Sequence, residues 1–375
     1  MKKNLFLQIT LAVVVLCAAI FLFVYANRES KQDKIFEQAT EEVDFGGEML
    51  AYQNLSGTTA LIEMLFPKIV ENMIAKNEKL TPEQIEITKG ISANLLKLLD
   101  IRSFQAVAAS SNQVDKNIFV YKSSLVISPE TTSILVNKSA ENRPLKLHAL
   151  PADTKIAFAL QTDFAAIWQQ IKKQMNDRNP VLQNIQDLKQ QNIDIDAVLN
   201  SLQGEMSLVI AGTPDRLRFK AELPDRTGAV ANLLQQFLPA APGSNKTEIP
   251  IAANLTVNIM YETGKVCFVS GNYQSGNGKA LKANAKLASM LKYLPEEGTG
   301  YILMNIQQSD IDIAHLLLSI YQPELRKTVN LSPFAFIGID RKFAHGTAGT
   351  IVSDFSIPQL QSGMPMMMMN IMFNQ

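Results

Sequence analysis

Leu150-Pro151-Ala152-Asp153-Thr154 runs into the apolar stretch Ile156 to Leu160, then Asp163, then a segment bearing Phe164, Ile167, Trp168 and Ile171 at helical spacing. The order is turn, strand, N-cap and amphipathic helix. The same order returns at Leu294-Pro295-Glu296-Glu297-Gly298, which leads into Tyr301 to Ile306, then Asp310, then Ile313, Leu316, Leu317 and Ile320. Looser copies lie where Glu48 to Leu55 precede a helix from about Thr58, and where Phe219 to Leu223 lead to Asp225 and a helix with Val230, Leu233, Leu234 and Phe237. One strand-helix unit used four times points to internal duplication, and its uneven spacing excludes a solenoid. The three opening acids, Asp163, Asp225 and Asp310, are read as structural caps, each holding a first-turn amide.

Working outward, the helices are well punctuated. Thr81-Pro82-Glu83-Gln84 supplies a capping hydroxyl, a proline at the first helical position and a Gln at the third, and Asn179-Pro180 opens another helix. Each helical block gives way to β-rich sequence: Phe104 to Ser110 with Ile118 to Ile127, Met206 to Ala211 with Leu217 to Ala221, Leu255 to Tyr261 with Val266 to Ser270, and Phe334 to Ile339 with Thr347 to Ser353. Short links such as Glu262-Thr263-Gly264-Lys265 make antiparallel hairpins. The expected fold class is α+β: an N-terminal transmembrane helix followed by duplicated units of antiparallel sheet covered by helices.

The membrane expectation rests on Leu5 to Ala26, one uncharged run of 22 residues preceded by Lys2 and Lys3. That is about the length that crosses a roughly 30 Å hydrocarbon core. The positive-inside bias predicts a single-pass signal-anchor with a cytoplasmic N-terminus and a periplasmic or extracellular ectodomain. Cleavage after Ala26 would make the run a signal peptide instead. The implied organisation is a cytoplasmic tip and anchor at 1–26, a polar stalk at 27–43, α+β units at 44–147, 148–290 (two strand-helix copies) and 291–358, and a Met-rich tail at 359–375. With 35 basic against 35 acidic side chains, no electrostatic reason to bind nucleic acid exists. Cys267 is the one cysteine outside the anchor, which excludes an internal disulfide there.

Leu150 to Thr154, Asp163, Trp168, Asp194-Ile195-Asp196 and the turn Leu202-Gln203-Gly204-Glu205 together resemble a family of membrane-anchored bacterial envelope proteins of unknown function, built from Leu-Pro-Ala-Asp-Thr-like strand-helix repeats. The likeness spans about residues 44–355 and implies a fold and a cellular address, not a reaction.

Candidate chemistry is sparse. Gly271 to Lys279 is glycine-rich between strand and helix, but Asn277 and Gly278 separate Lys279 from Gly276, and Ala280 replaces the hydroxyl a phosphate loop needs. His148, His315 and His345 share no element as a metal pair. Asp194 with Asp196, and Asp310 with Asp312, sit where caps are needed rather than in calcium loops. Lys279, Lys282 and Lys286 form a basic helical stripe of the solvated kind. The tail concentrates 6 of 15 methionines in its last 12 residues, and Met364, Met366, Met368 and Met372 are the candidate Cu(I) ligands of a minority reading. No cofactor is expected. The expectation is a non-enzymatic, membrane-anchored, extracytoplasmic binding or scaffolding protein of the bacterial envelope. Its partners are the membrane through residues 5–26 and an unknown envelope protein or an apolar ligand. The alternative is a carrier of a lipid or other apolar ligand, favoured if a pocket with continuous apolar lining exists.

Overall fold

A computed structural model describes residues 32–76, 81–174, 180–213, 216–238, 245–252, 255–270, 273, 280–312 and 332–356. Its first half contains α1 (residues 32–40), β1 (Met49–Asn54), α2 (Ser56–Lys76), α3 (Pro82–Leu99), β2 (Phe104–Asp115), β3 (Ile118–Ile127) and the short β4 (Arg143–Pro144). Next come β5 (Thr154–Asp163), α4 (Phe164–Gln174), α5 (Pro180–Gln190), α6 (Ile195–Ser201), β6 (Gln203–Ala211), β7 (Arg218–Asp225) and α7 (Ala229–Phe237). The remainder holds β8 (Lys246–Ala252), β9 (Leu255–Glu262), β10 (Gly264–Ser270), α8 (Ala285–Leu291), β11 (Glu297–Gly298), β12 (Gly300–Ile306), β13 (Phe334–Phe343) and β14 (Gly346–Ser353).

Twelve strands form one sheet in the order β1-β2-β3-β14-β13-β12-β5-β6-β7-β10-β9-β8, with every neighbouring pair antiparallel. Three strand-helix-strand-strand passages supply most of it. The runs β1-β2-β3, β14-β13-β12 and β5-β6-β7 lie side by side, the middle one reversed. The expectation of units that each own a sheet is therefore corrected: the units share one. The reason is the cost of an open edge. A unit ending in β3 or β12 presents a row of unpaired amides and carbonyls, and pairing β3 with β14 and β12 with β5 satisfies both rows.

The transmembrane part of the expected fold class is corrected as well. Among the described residues no helix is long and apolar enough to cross a membrane. The longest, α2, has 21 residues but carries Glu63, Lys68, Glu71 and Lys76, with Pro67 inside it. Leu5 to Ala26 lies outside the described residues. The signal-anchor, the single-pass topology, the membrane partner through residues 5–26 and the extracytoplasmic envelope address, all of which rested on that run, are therefore corrected too: the described residues give them no spanning helix.

Side-chain alternation gives the central strands two unlike faces. On one, Ala157, Leu303, Ile337, Ile339 and Val352 pack beneath Leu147, Leu281, Leu287 and Met290, contributed by α8 and the 3-10 turns Lys146–Ala149 and Leu281–Ala283, and beneath Leu150, which follows the first of those turns. At the β1 end the same face is covered by α1, whose Ala39 meets Ala106, Ala108 and Val126. At the other end cover switches sides. There α7 and the α6 region pack Val230, Leu234, Val198 and Leu202 over Ile259, Val266 and Phe268.

Candidate functional site

The opposite face of the central strands carries an open groove. Register places Phe158, Ile302, Gly338, Ile351 and Tyr121 in one cross-strand row, and Leu160, Gly300, Asp340, Gly349 and Ser123 in the next. Ile302 is 43% exposed, Ile351 44% and Leu160 39%. Aliphatic side chains in the middle of a twelve-stranded sheet are thus left in solvent by the described residues. They floor a groove of about 590 Å³ that also takes in Phe104, Leu125 and Ile127.

Glycines set its depth. A Cβ on Gly338 would lie 3.0 Å from Ile302 Cγ2 and 3.5 Å from Ile351 Cγ1, between the two exposed isoleucines. Gly300 is more constrained, since a Cβ there would meet the Ala159 carbonyl oxygen at 2.7 Å. Both glycines are buried by these neighbours, so their lack of a side chain lets the flanking side chains and the adjoining strand close over the sheet backbone.

A strap of residues 128–142 forms the wall. On the helical side it is tied by the Thr132 amide donating to Asp100 Oδ2 at 2.7 Å and the Ile134 amide donating to the Leu98 carbonyl at 2.9 Å. On the sheet side Asn137 Nδ2 donates to the Gln161 carbonyl at 2.8 Å, and Gln161 Nε2 donates to the Glu141 carbonyl at 2.6 Å. Asn142 then stands in for a missing strand neighbour: its Oδ1 accepts the Lys342 amide at 2.8 Å and its Nδ2 donates to the Lys342 carbonyl at 2.7 Å. Leu135 and Val136 of the strap face the groove, and beyond them a second hollow of about 320 Å³ continues to Phe164 and Ile167 of α4. Trp168 Nε1 donates to Asp196 Oδ1 at 2.5 Å, which fixes α4 against α6.

Two charged side chains line the groove, Asp340 and Lys342, two residues apart on one strand and so on one face. Asp340 Oδ2 accepts the Thr299 hydroxyl at 3.0 Å, and its cross-strand neighbours are the glycines 300 and 349. Loss of hydration raises its carboxyl above the usual carboxylate range, against the Thr299 and Arg341 hydrogen bonds. Lys342 Nζ donates to the Lys138 carbonyl at 2.7 Å, and desolvation lowers its ammonium pKa despite the charge of Glu141.

The residues singled out in the sequence lie elsewhere. Asp163 Oδ1 accepts the Ala166 amide at 2.9 Å at the start of α4. Asp225, buried, accepts the Val230 and Ala231 amides at 3.1 and 2.9 Å and the Ser201 hydroxyl. Asp310 differs: its Oδ2 accepts the Gln307 amide at 2.8 Å, reaching backwards, and pairs with the largely buried Lys155 at 2.8 Å. Asp194 holds the Ala197 amide of α6 at 2.9 Å. The helix expected from about Lys279 starts later, at Ala285, where Asn284 Oδ1 accepts the Leu287 amide at 3.2 Å. Lys286 in it pairs with Asp354. The loop 271–279 apart from Tyr273, His315, and the candidate Cu(I) ligands Met364, Met366, Met368 and Met372 lie outside the described residues. Among the described residues no group of three or more His, Cys, Asp or Glu side chains could hold a metal ion.

A charged cluster marks the far arm of the sheet. Glu222 accepts Lys265 Nζ at 2.5 Å and Lys220 Nζ at 3.1 Å. Burial alone would raise its pKa, but the two lysines outweigh that and hold it at about 2. Cys267 is buried beside them and its thiol is pushed up to about 11 by desolvation, the condition of an inert cysteine.

Sequence reading missed the groove, though a signal was present. Tyr301 to Met304 and Phe334 to Ile339 are apolar at consecutive positions rather than alternate ones, so both faces of these strands are apolar there. No known protein family matches the chain, and no curated protein compared with it matches either.

Proposed function

We propose that this is a binding protein for an elongated apolar ligand, a single alkyl or acyl chain lying on the open face of the sheet. The observation that carries the reading is the exposure of Leu160, Ile302 and Ile351 along a glycine-floored groove in central strands. Full burial of such a side chain contributes roughly 1.5–3 kcal/mol, and here much of that remains to be gained from a guest. The groove volume of about 590 Å³ falls within the roughly 300–1,000 Å³ of small-molecule sites. A two-turn helix, about 11 Å long and 10 Å across, would fill roughly 850 Å³, so a chain suits the space and a partner helix does not.

The test is displacement of a fluorescent polyene fatty acid from the full chain by oleyl compounds. The wild type should bind the probe, and Gly338→Leu, which fills the floor, should weaken binding at least tenfold with little change in melting temperature. The Ile302 side chain that the new Cβ meets can swing into the groove. Equal probe binding by wild type and Gly338→Leu would overturn the proposal.

A further inference from the structure

We infer that the chain bound in this groove belongs to a zwitterionic amphiphile, whose ammonium sits against Asp340 and whose anionic group sits against Lys342. The inference rests on the chain-binding reading and adds the head group. Asp340 has no ion-pair partner among the described residues, and its one side-chain partner is the Thr299 hydroxyl. Its cross-strand neighbours Gly300 and Gly349 carry no side chain to pair with it, and Asp340 is exposed on the groove face. Lys342 donates to a backbone carbonyl, which leaves two of its three donors for a guest. Lys342 Nζ turns to the Lys138 carbonyl and makes no ion pair with Asp340, so among the described residues both charges are left for one compact zwitterion to bridge.

Both charges also lose hydration here, Asp340 with a raised and Lys342 with a lowered pKa, so each gains from an opposite charge delivered by a ligand. A purely anionic chain would relieve Lys342 while facing Asp340, and a purely cationic one would do the reverse. Leu160, Ile302 and Ile351 lie in the same row as Asp340 or the next, so head and chain occupy one continuous surface.

The experiment compares four oleyl compounds as displacers, each below its micelle concentration: a lysophosphatidylethanolamine, oleate, oleylamine and oleyl alcohol. Wild type should bind the zwitterion at least tenfold more tightly than the alcohol. Asp340→Asn should remove most of that preference and improve oleate binding. Lys342→Met should weaken the zwitterion and oleate but spare oleylamine, and Lys342→Arg should restore both, which separates lost charge from a loosened strap. Equal affinity of wild type for zwitterion and alcohol, or tightest binding of either singly charged chain, overturns the head-group inference and leaves the chain-binding reading standing. Failure of all four to displace, or of the probe to bind at all, overturns both.

Discussion

Ile302 and Leu303 are neighbours in β12, yet Leu303 is fully buried beneath the α8 layer while Ile302 is nearly half exposed. Val352 with Ile351 repeats the contrast on β14, while on β13 Ile337 and Gly338 are both buried. The far arm behaves differently. There Ile259 and Val266 are covered, and the other face carries Lys220, Glu222 and Lys265, the usual apolar-in, polar-out division of an antiparallel sheet. Among the described residues the central strands are apolar on both faces with cover on one. What marks the groove is thus not apolar character as such but apolar character without cover, over glycines that keep the surface low.

The contrast within β12 can be broken by truncation. Leu303→Ala should cost about 2–5 kcal/mol in chemical denaturation, because the packed layer above cannot collapse into the space. Asp225→Ala should cost about 2 kcal/mol by the same measurement, since it frees two amides of α7 and strips the buried Ser201 hydroxyl of its acceptor. Ile302→Ala should cost about 1 kcal/mol or less while weakening probe binding. If it destabilises as much as Leu303→Ala, the groove is a covered core and the comparison fails.

On the charged face the effect shows in its pH dependence. Glu222, held at about 2 by Lys265 and Lys220, contributes stability that is fully present above the unfolded value of roughly 4.3 and is lost as pH falls towards 2. Glu222→Gln should therefore flatten the decline in melting temperature between pH 4.3 and 2. An unchanged acid slope would show that the cluster is screened by solvent.

Local structure was legible where one residue decides it. Pro82 and Pro180 open α3 and α5, Gly264 makes the β9-β10 turn at φ +80°, and the hairpins β2-β3, β6-β7, β9-β10 and β13-β14 follow from apolar stretches on either side of short polar links. The order of strands was not legible. Whether β3 meets β14 or ends the sheet depends on matching edges far apart in the chain, and alternation carries no address for a partner. Asp310 shows the same limit at small scale: the residue type suggested a forward cap, whereas its partners Gln307 and Lys155 draw it backwards and inwards. The groove escaped because apolar runs are consistent with burial on both sides, and which face the described residues leave open is written in no single residue.

The place of the β13-β14 hairpin has a consequence for synthesis on the ribosome. Its two strands are the last described, yet they sit between β3 and β12, and Tyr121 donates to the Phe355 carbonyl across 234 residues of chain. Until residues 334–353 have emerged, the first three strands and the block from β12 to β8 have no sheet connection, and both hold raw edges. Once β5 and β6 have emerged, the nascent chain therefore carries two incomplete sheets until the last hairpin arrives, and closes them in one late step that is slow by contact order. A ribosome stalled before Phe334 would display two sticky halves, a natural substrate for holding chaperones.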